Sequence, residues 1–227
     1  MRRHFFFAVL TLILITFSHT ANPEDKATEA GVAPAEPVEE SAVATEENPQ
    51  ESPGGIVILD GVLPEGAVTQ GKWDWDASLR YNEAKSHTEP PANGVTEHSY
   101  RMPALDIPGN VNVEQYIYLD PGDPPEGILL RFRFESDGKE GEIGVYREGE
   151  QEVFIFNDDE AVIYDGTLPE PGNWSKWEID PDDLGLRNAK ITGFSFAVYG
   201  GRVNWGLLQF APSKKYKDNS QPEAAGN

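Results

Sequence analysis

Cysteine is absent from this chain of 227 residues, which excludes disulfides, a thiol nucleophile, thiolate metal sites and a lipid-modified cysteine near the N-terminus. Positive charge is scarce as well. There are 18 lysines and arginines against 39 acidic residues, a formal net charge of −21. Gripping a phosphate backbone or an anionic membrane surface needs clustered Lys and Arg. Beyond the first few residues the one basic run is Lys214-Lys215-Tyr216-Lys217, close to the C-terminus, so nucleic acid is not expected as a partner. Histidine occurs at four positions only. Long apolar runs are missing save one, residues 5–17, which at about 13 residues is shorter than the roughly 20 a helix needs to cross a bilayer.

That run follows Met1-Arg2-Arg3-His4 and precedes small or polar residues at 18–21, the layout of a secretory signal peptide over residues 1–21. The mature protein is therefore expected to be secreted, periplasmic or associated with the cell envelope, with no membrane span left after cleavage. Residues 22–53 are rich in Ala, Glu, Pro and Thr and hold no aromatic residue. They cannot bury enough surface to offset their ordering entropy and read as a disordered acidic linker. Residues 212–227 read as a disordered tail. What remains, residues 54–211, is one domain, long enough to remove about 70% of its unfolded surface from water without disulfides.

In this middle part apolar and polar residues alternate. Ile128, Leu130, Phe132 and Phe134 share one face of a strand while Arg131 and Arg133 share the other, a sorting no helix produces. Asp137-Gly138 supplies a turn, and Ile143 and Val145 start the alternation again. Further strands are expected at 56–59, 72–75, 96–102, 114–119, 153–156, 161–164, 174–179 and 191–198, the last continuing to 205–210 after a turn at Gly200-Gly201. Nine or ten strands without an amphipathic helix predict an all-β, two-sheet antiparallel sandwich of jelly-roll type, because one sheet of that size would leave an apolar face in water.

Several motifs in order resemble a β-sandwich domain family of exported bacterial proteins: Leu59-Asp60-Gly61, Ser86-His87, His98-Ser99-Tyr100, Tyr116-Ile117-Tyr118-Leu119-Asp120-Pro121 with Pro124-Pro125, Leu168-Pro169 with Gly172 and Trp174, and Tyr199-Gly200-Gly201-Arg202 with Trp205. They cover residues 57–206. The pattern is similar to galactose-binding and carbohydrate-binding jelly rolls, and the resemblance implies noncatalytic attachment to a glycan or a surface. The chain departs from the family pattern at 135–152, where a charged hairpin replaces an aromatic-rich element.

Trp73 and Trp75 stand two residues apart and so on one face of a strand. Exposed, they form a stacking platform for sugar rings; turned inward, they are core. Tyr199, Arg202 and Trp205, held by the glycine pair, are further candidates for a ligand surface or for a structural hairpin. Trp174, beside Gly172, is another aromatic candidate. His87 and His98 are the histidines left after signal removal, open to ligand contact, metal binding or plain packing. Ser86-His87 lacks a nucleophile elbow and does not make a serine hydrolase. Glu178 and Asp180 resemble a glycosidase acid pair, but Pro181 ends the strand and the third position is Asp183 rather than Glu. Asp158, Asp159 and Glu160, or Asp120 and Asp123, are turn acids able to contribute to a structural calcium site; no other cofactor is expected.

Together these features favour a noncatalytic exported module that binds carbohydrate or a cell-surface glycan. The alternatives are a structural or protein-interaction domain of the envelope, with an envelope protein as partner, and a glycoside hydrolase acting through Glu178 and Asp180.

Overall fold

The computed structural model describes residues 55–90, 94–149, 156 and 161–216. The signal peptide and linker, the expected strand at 153–155, and Asp158 to Glu160 lie outside them. The described chain forms twelve strands: β1 Ile56–Leu59, β2 Val68–Gln70, β3 Asp74–Tyr81, β4 Ala84–Thr88, β5 Val95–Asp106, β6 Val111–Leu119, β7 Gly127–Ser136, β8 Lys139–Glu148, β9 Val162–Thr167, β10 Trp174–Ile179, β11 Lys190–Tyr199 and β12 Val203–Pro212.

They make two six-stranded sheets. The first has the order β10-β6-β12-β4-β3, with β1 also on β12, and the second the order β2-β5-β11-β7-β8-β9. Most sequence neighbours are dealt to different sheets, while β3–β4 and β7–β8–β9 stay together within one. The alternation read in β7 is realised: Ile128, Leu130 and Phe132 point into the core and face Val198, Phe196 and Phe194 of β11 across the ladder. From the first sheet Val113, Ile117, Leu119, Trp177, Trp205, Leu208 and Phe210 fill the same core. Burying such side chains contributes roughly 1.5–3 kcal/mol each.

Three differences from the sequence reading have physical causes. β9 runs parallel to β8, not antiparallel, because residues 149–161 intervene between them where a tight hairpin would be needed for reversal. β2 and β4 are strands that short polar segments did not announce; each is held by one long neighbour, β2 by β5 and β4 mainly by β3. At the C-terminal end β12 runs to Pro212 and is followed by a 3₁₀ turn at Lys214–Tyr216. Ser213 donates to the Asn110 carbonyl at 2.9 Å and Lys215 reaches Asp180 at 2.9 Å, so ordered chain continues past residue 211.

The Gly200-Gly201 turn is there for a steric reason. Both residues have positive φ, and a Cβ on Gly201 would lie 2.4 Å from the Pro124 carbonyl. Only glycine fits this contact. The turn is tied to the Asp120 loop by Arg202 N–H donating to Asp123 O and Asp120 N–H donating to Arg202 O.

Candidate functional site

The residues singled out in the sequence do not share one surface. Trp205 is fully buried, as are His87 and His98. Trp205 and His87 are register partners and face inward from the first sheet. Trp75 pairs with the other side of His87, so the Trp73–Trp75 side of that segment also faces the interior. The two indoles are stacked at 5.5 Å with an interplanar angle of 28°. Trp73 then packs on His87 at 4.8 Å and on His98 at 4.6 Å. These rings close the sandwich where β4 of one sheet meets β5 of the other, so the expected indole platform and its histidine neighbours form an inward cluster. Tyr199 belongs elsewhere, packed on Leu129, Tyr146 and Ala197 on the outer side of the second sheet. Arg202 sits in the turn just described.

The two histidines make one hydrogen bond between the sheets, His87 Nδ1 to His98 Nε2 at 2.7 Å. One nitrogen must donate and the other accept, so at least one of the two rings is neutral. Burial pushes both imidazoles down, His87 well below its ordinary value and His98 to about 3. His98 Nδ1 faces Glu89 Oε2 at 3.7 Å, and burial raises that carboxyl.

The carboxylates with a glycosidase-like spacing are committed to other partners. Glu178 holds Lys176 at 3.0 Å and accepts from Asn112 at 2.6 Å. Burial alone would raise its pKa, but Lys176 and Asn112 outweigh burial and hold it below the usual carboxylate range. Asp180 accepts from Asp182 N–H and from Lys215, both at 2.9 Å. Of the turn acids, Asp120 accepts from Gly122 N–H at 2.8 Å and so closes its own loop. Among the described residues, no group of three His, Asp or Glu side chains is placed to hold a metal ion.

A different cluster forms on the outer side of the first sheet. In β6, Val113, Ile117 and Leu119 point inward, so Tyr116 and Tyr118 point out and are half-buried. In β10, Trp177 is core and Trp174 stands on the opposite side, directly across from Tyr118 in the register. Tyr81, at the end of β3, stacks on Tyr116 at 3.8 Å and 18° and meets Trp174 edge-on at 5.7 Å. Tyr118 and Trp174 are 5.8 Å apart. Stacked and edge-to-face pairs at these distances are worth about 0.5–1.5 kcal/mol beyond their burial.

Polar groups flank the rings. Lys176 bridges Glu114 at 2.7 Å and Glu178 at 3.0 Å, and Gln209 donates to Glu114 at 2.8 Å. Burial by itself would lower Lys176, yet the hydrogen bonds to Glu114 and Glu178 keep it above its ordinary value. On the other flank Asn204 donates to Ser86 at 2.9 Å. Asp76 caps the β3 irregularity through Ser78 and Leu79, and the Ser78 hydrogen bond is the main cause of its lowered pKa. Beside Tyr81 a recess of ≈ 220 Å³ opens between β1, the middle of β12 and the β3–β4 turn.

The described residues are thus a two-sheet, mostly antiparallel β-sandwich carrying an aromatic patch on the solvent side of one sheet. No family model matches the chain, and no curated protein does. Solved structures of β-sandwich type are similar to it. One is the Family 11 carbohydrate-binding module of the cellulosomal cellulase Lic26A-Cel5E of Clostridium thermocellum, 13% identical over 72% of this chain and 97% of that one, with a TM-score of 0.44. Another is the K3 cleaved adhesin domain of Lys-gingipain from Porphyromonas gingivalis w83, at 12% identity over 69% and 97% of the two chains and a TM-score of 0.37. A third is the glycoside hydrolase domain of Endo-D from Streptococcus pneumoniae R6, at 14% identity and a TM-score of 0.38; the match takes in 65% of this chain but only 22% of that one. Among the described residues no helix is long and apolar enough to cross a membrane.

Proposed function

We propose that this protein is an exported, noncatalytic carbohydrate-binding module whose ligand sits on the outer face of the first sheet. The observation that carries the reading is the packing of the half-buried Tyr116, Tyr118 and Trp174 on the solvent side of a sheet, backed by Tyr81, which is itself buried beneath them. Aromatic rings held this way offer apolar faces at little conformational cost, and sugar rings have apolar faces of their own. Hydroxyl and amide groups beside the rings, on Tyr116 and Gln209, supply orientation. Export rests on the first 21 residues, whose layout is that of a signal peptide.

The state of the acids supports a noncatalytic reading. A glycosidase needs one carboxyl free to protonate the leaving oxygen and a second free to attack or to activate water. Glu178 and Asp180 are each held by a lysine and by an amide N–H donor. No metal is required for the proposed binding.

The test is retention on a panel of insoluble and gel-embedded polysaccharides. The wild type is expected to be retained by at least one of them and Trp174→Ala by none, with no new reducing ends released by either protein. Equal retention of Trp174→Ala would remove this face from consideration. Hydrolysis that disappears in Glu178→Gln would replace the reading with an enzymatic one.

A further inference from the structure

The aromatic patch does not end at Tyr81. That side chain stacks on Tyr116 and also lines the ≈ 220 Å³ recess, together with Val57, Asn82, Glu83, Leu207 and Gln209. Patch and recess therefore adjoin on one face, with the buried Tyr81 between them. That face runs across the strands: Trp174 lies on β10, Tyr116 on β6, Leu207 on β12 and Val57 on β1, each strand the ladder neighbour of the last. Three strand intervals of about 4.8 Å make a path of roughly 15 Å, longer than a single sugar ring.

The charge along this path is mostly negative, although the Arg80 guanidinium donates to the Glu83 carbonyl at 3.1 Å at the recess end. Asp60 and Glu83 border the recess, and Glu114 and Glu178 border the rings. The cation beside the rings, Lys176, is already shared between those two carboxylates. A uronate or sulfate arriving here meets carboxylates and a lysine that is engaged, in a chain whose formal net charge is −21.

Resting on the binding role given above, we infer that the site takes an uncharged oligosaccharide, laid across β10, β6 and β12 with one end on Trp174 and the other in the recess beside Val57. Val57 is 52% exposed, so it can be replaced without disturbing the core.

The experiment is calorimetric titration of the full chain with neutral gluco-, xylo- and chito-oligosaccharides of one to six units, and with oligogalacturonides as the anionic series. For a neutral series, affinity is expected to rise by about tenfold or more from two units to four and then level off, a gain of about 1.4 kcal/mol. Val57→Asp is expected to remove that gain, and Trp174→Ala to remove binding of the whole series. Affinity independent of length, preference for the oligogalacturonides, or indifference of the longer ligands to Val57→Asp would each overturn the inference while leaving a sugar-binding face in place. No binding by any series would overturn both.

Discussion

Trp174 lies across Gly206: a Cβ at that glycine would come within 2.8 Å of the indole and 3.2 Å of Tyr81 Cβ. The irregularity between Trp205 and Leu208 in β12 places this glycine beneath the ring, so the aromatic patch depends on a missing side chain as much as on those present. Gly206→Ala is expected to lift Trp174 off the sheet and weaken glycan retention by an order of magnitude or more, since pre-organised rings carry the contact. A shift in tryptophan emission should accompany it. Unchanged emission and retention would show that the ring position does not matter.

Two tryptophans should behave in opposite ways. Trp205 is core, and Trp205→Ala is expected to destabilise the fold by about 3–5 kcal/mol. Trp174 is half-buried on the outer face, so Trp174→Ala should cost roughly 1–2 kcal/mol of stability while abolishing binding. Urea unfolding and affinity electrophoresis on the same samples separate the two effects.

Stability should fall as the solution is acidified from neutrality. His87 and His98 are buried neutral, and their pKa values are lowered in the folded state. Between pH 6.5 and about 3 the unfolded chain takes up protons that the folded one refuses. Each pH unit in that window removes about 1.4 kcal/mol per fully buried imidazole. Glu89, whose carboxyl is raised by burial, takes its proton more readily when folded and offsets part of the loss. Urea midpoints at pH 7.5, 6 and 5 should drop steadily in the wild type and much less in a His87→Leu/His98→Leu variant. Parallel slopes would mean that the pair is not the cause.

Lys176 joins Glu114 of β6 to Glu178 of β10, next to the aromatic rings. Lys176→Met should leave the 7%-exposed Glu114 side chain with Gln209 as its main partner and cost about 1–3 kcal/mol. It should also allow the Glu178 carboxyl, now held low by Lys176 after burial is outweighed, to rise. Carboxyl-detected NMR titration of Glu178 checks the second point. No upward movement would show that Asn112 alone sets its charge state.

The alternation in residues 128–134 marked β7 and its buried side, because Ile, Leu and Phe occupy one face and arginines the other. Residues 114–119 were harder: a strand was legible there, but both of its faces are apolar or aromatic. Ile117 and Leu119 could not be told from Tyr116 and Tyr118 as the buried set. The same ambiguity touched the tryptophans. Trp73 and Trp75 stack on each other although β3 begins only at Asp74 and Trp73 precedes it, and nothing local said that they face His98 and Phe196 of the other sheet. Tyr81 fell outside every expected strand. The one available signal for the outer patch was parity in 174–179, which puts Trp174 and Trp177 on opposite faces, so that one of them must lie outside if the other is core.

By itself, then, the sequence determined the class of fold, since period-two alternation and closely spaced turns leave no other way to bury that many apolar residues. It also determined the charge balance and the lack of thiol chemistry, which belong to composition. The candidate site was decided only by tertiary structure. Trp174, Tyr116 and Tyr81 meet because β10, β6 and β3 join one sheet through long-range pairing around β12, and because that sheet turned its other side, with Trp177 and Trp205, toward the core.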